Sequence, residues 1–311
     1  MKRVATTGIY DGVHNGHRAV LEKVAAQAQA QGKESMVVTF WPHPRIVLGQ
    51  DADKLRLLNS MEEKRRLIAG IGIQRVEVIP FDAALAAMPT AEFFDYYLKQ
   101  RLGVDYLIIG HDHRLGNRAL DDFEAMKALG APLGITIERV EAVAYSSFFG
   151  MGNSFVPKNN TVSSTKIREA LKGGDIQTAN DCLGYRYMLK GTVVEGNRLG
   201  RGMGFPTANM RLDEPLKQLP ADGVYAVLAT VAGREYRGAL NIGVRPTLKS
   251  APVRVIETHI LDFDEDIYGQ SIEVRFVHRI RDERQFKSMD ELKTQIALDK
   301  AETYRYFNNL S

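Results

Sequence analysis

The chain has 311 residues, 44% of them hydrophobic, with a formal net charge of +3. That length suits two domains, each with its own core, and so mild a charge gives little support to a nucleic-acid-binding role. The lone Cys182 excludes an internal disulfide and an intrachain thiolate zinc cluster; no apolar run approaches membrane-spanning length, and Met1-Lys2-Arg3 leads straight into a strand candidate without a leader, so a cytoplasmic protein is expected.

Val4 to Ile9 reads as a short apolar strand. It runs into Gly8-Ile9-Tyr10-Asp11-Gly12-Val13-His14-Asn15-Gly16-His17, which opens a helix through Leu21, Val24, Ala25 and Ala28. A strand, a tight glycine turn and a helix start bring backbone N–H groups and a positive dipole end to one point. Gly16 lets an anion approach the main chain. His14 and His17 can donate hydrogen bonds to phosphate oxygens from that corner. Such donors suit a reaction in which charge builds on a pentacoordinate phosphorus and on departing pyrophosphate. A plainer reading of the same residues is two polar histidines in a turn, one of them capping the helix.

The alternation continues. Met36 to Trp41 is an apolar strand ended by Pro42-His43-Pro44, and Ser60 with Glu63 forms a capping box before a helix containing Leu67 and Ile68. Val76 to Ile79 is the next strand. Thr90 is expected to cap a helix that carries Phe93, Phe94, Tyr97, Leu98 and Leu102 on one side and closes at Gly103. Tyr106 to Ile109 and Ile135 to Val140 follow as strands. Short apolar strands between helices imply a parallel sheet covered on both faces, with ligands beyond the carboxyl ends of its strands. Three such ends carry polar residues: Asp11 to His17, His43, and His111 to Arg114. Farther along, Ser163-Ser164-Thr165-Lys166-Ile167-Arg168 starts another helix. Its hydroxyls and N–H groups can hold phosphates, and Arg168, one turn in, can reach the same oxygens with a planar fork.

From about Gly184 the chain turns β-rich. Tyr187 to Val194, Val224 to Val231, Tyr236 to Ile242, Val253 to Leu261 and Ile272 to Val277 are separated by glycine and proline turns, which argues for a small antiparallel barrel. Ser288 with Glu291 caps a last helix bearing Met289, Leu292 and Ile296. Gly200, Gly202 and Gly204 allow a loop to wrap a polyphosphate with N–H groups. Thr207 and Asn209 alternate, so on an extended segment both point to one side and offer neutral oxygens to a hard Mg²⁺ ion. Glu257 shares a strand face with Val255 and His259, as a salt-bridged barrel residue or as a general base.

The histidine corner resembles the nucleotidyltransferase superfamily. Its wider form, together with Pro42-His43-Pro44, Gly110-His111-Asp112-His113-Arg114-Leu115-Gly116, the segment Ser163 to Arg168 and Pro206-Thr207-Ala208-Asn209, resembles bacterial bifunctional riboflavin kinase/FAD synthetases. His113 and Leu115 stand where that family usually has phenylalanines, and Lys166 where it usually has arginine. The resemblance implies a Rossmann-like α/β nucleotidyltransferase domain with a parallel sheet over 1–185, then a small antiparallel β-barrel with a C-terminal helix over 186–311. It implies ATP-dependent phosphorylation of riboflavin to FMN by the barrel and adenylylation of FMN to FAD by the first domain, with Mg²⁺ accompanying ATP. His14, His17, Arg168 and Glu257 would be catalytic. Gly8, Asp11, Gly16, Ser164 and Thr165 would bind nucleotide in the first site, and Gly200, Gly202, Gly204, Thr207 and Asn209 in the second, Thr207 and Asn209 also holding the metal. Asp112, Arg114, Asn241 and Arg245 would bind flavin. Neither nucleic acid nor membrane is expected as a partner. Two other readings stay open: a nucleotidyltransferase acting on a different phosphate acceptor, and a non-catalytic flavin-binding regulatory protein.

Overall fold

The computed structural model describes residues 2–49, 54–111, 123–141, 162–196, 204–245 and 253–309. They fall into two compact units, one formed by the described residues up to Ser164 and the other by those from Thr165 onward.

The first unit runs β1 (Arg3–Thr7), α1 (Asn15–Ala30), β2 (Glu34–Trp41), α2 (Pro44–Val47), α3 (Met61–Gly70), β3 (Arg75–Pro80), α4 (Ala83–Ala87), α5 (Thr90–Glu92), a π-helix (Phe93–Arg101), β4 (Val104–Gly110), α6 (Phe123–Gly130) and β5 (Thr136–Val140). Its strands form a parallel sheet in the order β3-β2-β1-β4-β5. Successive residues of a strand serve opposite faces. Val38 and Leu107 pack with Phe93, Phe94 and Leu98 on one side, while their neighbours Val37 and Ile108 pack with Leu21, Val24 and Ile68 on the other. Each of these fully buried side chains contributes roughly 1.5–3 kcal/mol. The chain passes from β1 to β2 on one side and returns to β4 on the other, so the crevice at the carboxyl end of β1 is a topological switch point.

Two local details differ from the expectation. Thr90 is the first residue of α5, and the cap position is Pro89, which makes no side-chain cap bond. The helix expected through Phe93 to Leu102 winds as a π-helix, with Leu102 N donating to the Tyr97 carbonyl at 3.0 Å. The wider turn brings Phe93, Leu98 and Leu102, five and four residues apart, onto one buried face.

The second unit holds α7, which opens at Ser164 (Ser164–Gly173), α8 (Ile176–Leu183), β6 (Met188–Val194), β7 (Ala208–Leu212), β8 (Gly223–Val231), β9 (Arg234–Arg245), β10 (Val253–Ile260), β11 (Ser271–Asp282) and α9 (Met289–Asn309). The strands close an antiparallel barrel in the order β10-β7-β6-β11-β8-β9. Buried Asn180 ties α8 to it: its Nδ2 donates to the Phe276 carbonyl at 3.0 Å, and its Oδ1 accepts from Tyr187 N at 2.7 Å. Helix α9 is capped by Ser288, whose Oγ accepts from Glu291 N at 3.2 Å. Of the apolar residues expected to seat it, Met289 is 52% exposed. The helix is seated farther along by buried Phe307 and by Asp299, which takes the Arg281 guanidinium with both oxygens at 2.9 and 2.7 Å.

Candidate active sites

The first site is built where β1 ends. The chain folds back through a turn in which Tyr10, Gly12 and Val13 take φ of 51°, 94° and 38°. Glycine accepts such left-handed angles freely, but a β-branched valine is strained there, so the surroundings must hold the turn. The Tyr10 hydroxyl meets Thr6 Oγ1 at 2.6 Å. The buried Asp11 carboxylate accepts from Leu58 N at 3.0 Å and from Asn59 N at 3.2 Å. The Lys64 ammonium donates to the Ile9 carbonyl at 2.7 Å. Within the same unit, Ser164 Oγ donates to the Asp11 carbonyl at 2.7 Å.

The turn delivers His14 as the N-cap of α1, with His17 in the first helical turn. His17 N donates to His14 Nδ1 at 3.3 Å, and the two rings stack with centroids 3.6 Å apart. Because Nδ1 is the acceptor, a neutral His14 carries its hydrogen on Nε2. The capping histidine and the paired histidine corner are thus one arrangement. Gly16 permits it, since a Cβ there would lie 3.3 Å from both Cε1 and Nδ1 of His14. Gly8 does the same for Tyr10, whose ring would stand 2.9 Å from an added Cβ. Burial pulls the His17 imidazole well below the ordinary histidine pKa, and the His14 ring and the Lys64 cation push it the same way. His17 is therefore neutral at pH 7. Its Nδ1 is buried and makes no hydrogen bond among the described residues.

His43 caps α2, its Nδ1 accepting from Arg45 N at 3.2 Å. Thr165 and half-buried Arg168 lie in the first turns of α7, whose Ile167 and Leu171 are buried. Asp112 and Arg114, with His113 and Leu115, lie outside the described residues, as do Gly200 and Gly202. Lys64, which also reaches this turn, belongs to no sequence motif. Four positions after the helix cap it reads as an ordinary surface lysine, and only the fold buries it.

The second site lies on the barrel. Asn209 on β7 is directly opposite Glu257 on β10, and Glu257 is directly opposite Asn241 on β9. Directly opposed residues of neighbouring strands share a face, so the three form one row. Thr207 and Asn209 line an open cleft of about 190 Å³ together with Gly196 and the loop residues Asp264, Glu265 and Asp266. Gly196 packs its bare α-carbon against the Asn209 amide; an added Cβ would fall 2.3 Å from Nδ2. Gly204 has φ of 85°, and Arg245 ends β9.

Two residues beside this site carry no signal in the sequence. His259 Nδ1 meets the Pro206 carbonyl at 2.8 Å and so anchors the approach to Thr207. Burial lowers the pKa of His259. Glu283, just after β11, lies beside Asn241: the Cβ that Gly243 lacks would fall 3.0 Å from Glu283 Oε1 and 3.2 Å from Asn241 Nδ2. Burial raises the Glu283 pKa, and the Glu257 charge adds to the rise. Asn241 Oδ1 is buried and makes no hydrogen bond among the described residues. A buried acceptor of that kind is costly unless a donor meets it.

Known proteins match both halves. An FAD synthetase family model matches residues 1–148, and a riboflavin kinase family model matches residues 183–307. The bifunctional riboflavin kinase/FMN adenylyltransferase of Bacillus subtilis (strain 168) is 36% identical over 99% of this chain and 94% of its own length. The protein of that name from Pseudomonas fluorescens is 35% identical over 96% and 91%, and that from Escherichia coli (strain K12) is 34% identical over 98% and 92%. A solved structure described as a macrolide-efflux protein from Streptococcus pneumoniae superposes with a TM-score of 0.86 at 28% identity, over 97% of this chain and 94% of that one. Among the described residues no helix is long and apolar enough to cross a membrane. With both models in this order and bifunctional relatives matched almost end to end, the chain belongs to the bifunctional riboflavin kinase/FMN adenylyltransferase family.

Proposed function

We propose that the two sites divide the family's two reactions between them, residues 1–185 serving adenylyl transfer and residues 186–311 serving the kinase. The observation that carries this is the cross-strand row Asn209–Glu257–Asn241 beside the cleft, standing in a different compact unit from the histidine corner.

At the kinase site, ATP occupies the cleft, with Gly200, Gly202 and Gly204 around its phosphates. The cleft offers hydroxyl, amide and carboxylate oxygens from Thr207, Asn209, Asp264 and Asp266, a donor set that suits a hard Mg²⁺ ion. Thr207 and Asn209 would hold that ion, which when bound neutralises polyphosphate charge. Asn241 and Arg245 orient riboflavin, and the orphaned Asn241 Oδ1 accepts from it. Glu257 takes the proton of the ribityl hydroxyl as that oxygen attacks the γ-phosphorus of ATP.

At the adenylyl-transfer site, Gly8, Asp11 and Gly16 shape the turn, and Ser164 and Thr165 hold ATP at the start of α7. The FMN phosphate, oriented by Asp112 and Arg114, attacks the α-phosphorus of ATP and releases pyrophosphate. An anionic phosphate is already a competent nucleophile, so no covalent enzyme intermediate is required. His14, His17 and Arg168 stabilise charge on the α-phosphoryl group and the leaving pyrophosphate. A neutral His17 serves there as a hydrogen-bonding group.

Product analysis after incubation with riboflavin, ATP and Mg²⁺ tests the whole reading. FMN followed by FAD and pyrophosphate is expected. A flavin-bound protein that consumes no ATP would overturn it. Pyrophosphate release with nicotinamide or pantetheine phosphate but not with FMN would replace the assignment of the first site.

A further inference from the structure

Lys64 is only 4% exposed, and a lysine is rarely so buried unless something holds its charge. What holds it is the histidine turn. The ammonium donates to the Ile9 carbonyl at 2.7 Å and lies near the Asp11 carboxylate, whose charge offsets part of the desolvation. Thr39 Oγ1 reaches the same carbonyl at 3.4 Å. In the reverse direction, Asp11 accepts the amides of Leu58 and Asn59, immediately before the Ser60–Glu63 capping box that starts α3. Residues 58–64 therefore grip the turn at both ends of Ile9-Tyr10-Asp11. Between those grips Tyr10 is left-handed, and three residues on, left-handed Val13 leads into His14.

We propose that Lys64 is a positioning residue for adenylyl transfer: by fixing the Ile9 carbonyl it sets the path of the strained turn that carries His14 and His17. It touches no reacting atom. The inference rests on the reading of the histidine corner as the adenylyl-transfer site.

Transition-state stabilisation depends on donor placement within about half an ångström, whereas ground-state binding tolerates looser geometry. Loss of the grip should therefore appear in kcat more than in KM. A second readout is local. Among the described residues, the groups facing the His17 ring are His14 and Tyr10, with the Lys64 cation acting through space. Removing that cation lets His17 protonate at a higher pH.

Lys64→Met, Lys64→Arg and His17→Ala in the full chain, each assayed for FMN adenylylation and riboflavin phosphorylation, provide the test. Lys64→Met is expected to lower kcat for FAD formation by about ten- to a hundredfold. The KM for ATP and the kinase rate should stay near wild type. The His17 signal in ¹³C-histidine NMR should titrate at higher pH. Lys64→Arg, which keeps a cationic donor, should recover part of kcat. Wild-type kcat in Lys64→Met, equal kcat losses in both Lys64 variants, or a change in KM alone would overturn the proposal. If Lys64→Met loses its cooperative melting transition, Lys64→Arg decides alone: a folded protein with no recovered turnover overturns it. Undiminished FAD formation in His17→Ala would instead remove the reading of the site itself.

Discussion

At the residue scale, the proposed roles of His17 and Glu257 predict that losing either side chain silences one reaction and spares the other. If His17 has the role proposed for it at the transferring phosphate, His17→Ala should lower FAD formation about 10²–10³-fold while FMN still accumulates from riboflavin. Glu257→Gln should do the reverse, lowering kinase turnover about 10²–10⁴-fold while supplied FMN is still adenylylated. Chromatographic quantification of FMN and FAD checks both, and parallel loss of both products in either variant would argue against separate sites. His17 also sets a pH dependence. Its pKa in the folded chain lies below the ordinary 6.5, so the unfolded chain takes up the proton first as pH falls. The stability linked to this group is therefore complete above about pH 6.5 and is lost as pH falls toward the folded-state pKa. Melting temperature followed between pH 7.5 and 5 should decline, and more shallowly in His17→Gln. The meeting of the two histidines was legible, because residues three apart at a helix start lie on one side of its first turn. Lys64 and His259 were not, because a lysine on an amphipathic helix and a histidine on a strand take their meaning from what packs against them.

At the element scale, legibility followed locality. The α3 start was readable because Ser60 and Glu63 bond each other's backbone within one turn. Helix α8 leaves little trace in the sequence although Asp175 caps it, its Oδ1 accepting from Thr178 N at 3.0 Å, since its eight residues give little room for periodicity. The sequence shows a helix through Phe93 to Leu102 but not its π winding, because the two helix types differ in hydrogen-bond offset, which residue types do not mark. Strand β7, five residues long, was visible only as an extended stretch; its partners β6 and β10 make it part of the barrel. Helix α8 also supplies a stability test. Asn180→Ala removes both bonds to the barrel and strands the Phe276 carbonyl and the Tyr187 N–H. It should cost roughly 2–4 kcal/mol, measured by denaturant unfolding. A loss below about 0.5 kcal/mol would show that water replaces the side chain without penalty.

At the scale of the whole molecule, the product of one reaction is the acceptor of the other, and each reaction is assigned its own site. If FMN leaves the kinase site for solution before it is adenylylated, an equimolar mixture of His17→Ala and Glu257→Gln proteins should convert riboflavin to FAD, although neither does so alone. FAD formation in the mixture should lag behind FMN by the time needed for free FMN to build up, as a stopped time course would reveal. No FAD from the mixture would mean that FMN is handed over without release. Composition and periodicity announced the change of architecture near residue 184, where helix–strand alternation gives way to consecutive strands. The pairing order within each sheet was beyond reach, because register joins residues as far apart as Asn209 and Glu257.

A ring has no loose ends, and this bears on how the kinase half can vary. In an open sheet an outer strand can slide by two places and keep its apolar side inward; in the closed barrel every strand is braced by two neighbours. Asn209, Glu257 and Asn241 sit on three consecutive staves, so none can drift without unseating the next. Connecting segments between the staves are then free to lengthen, shorten or change composition while the alignment of the three side chains survives.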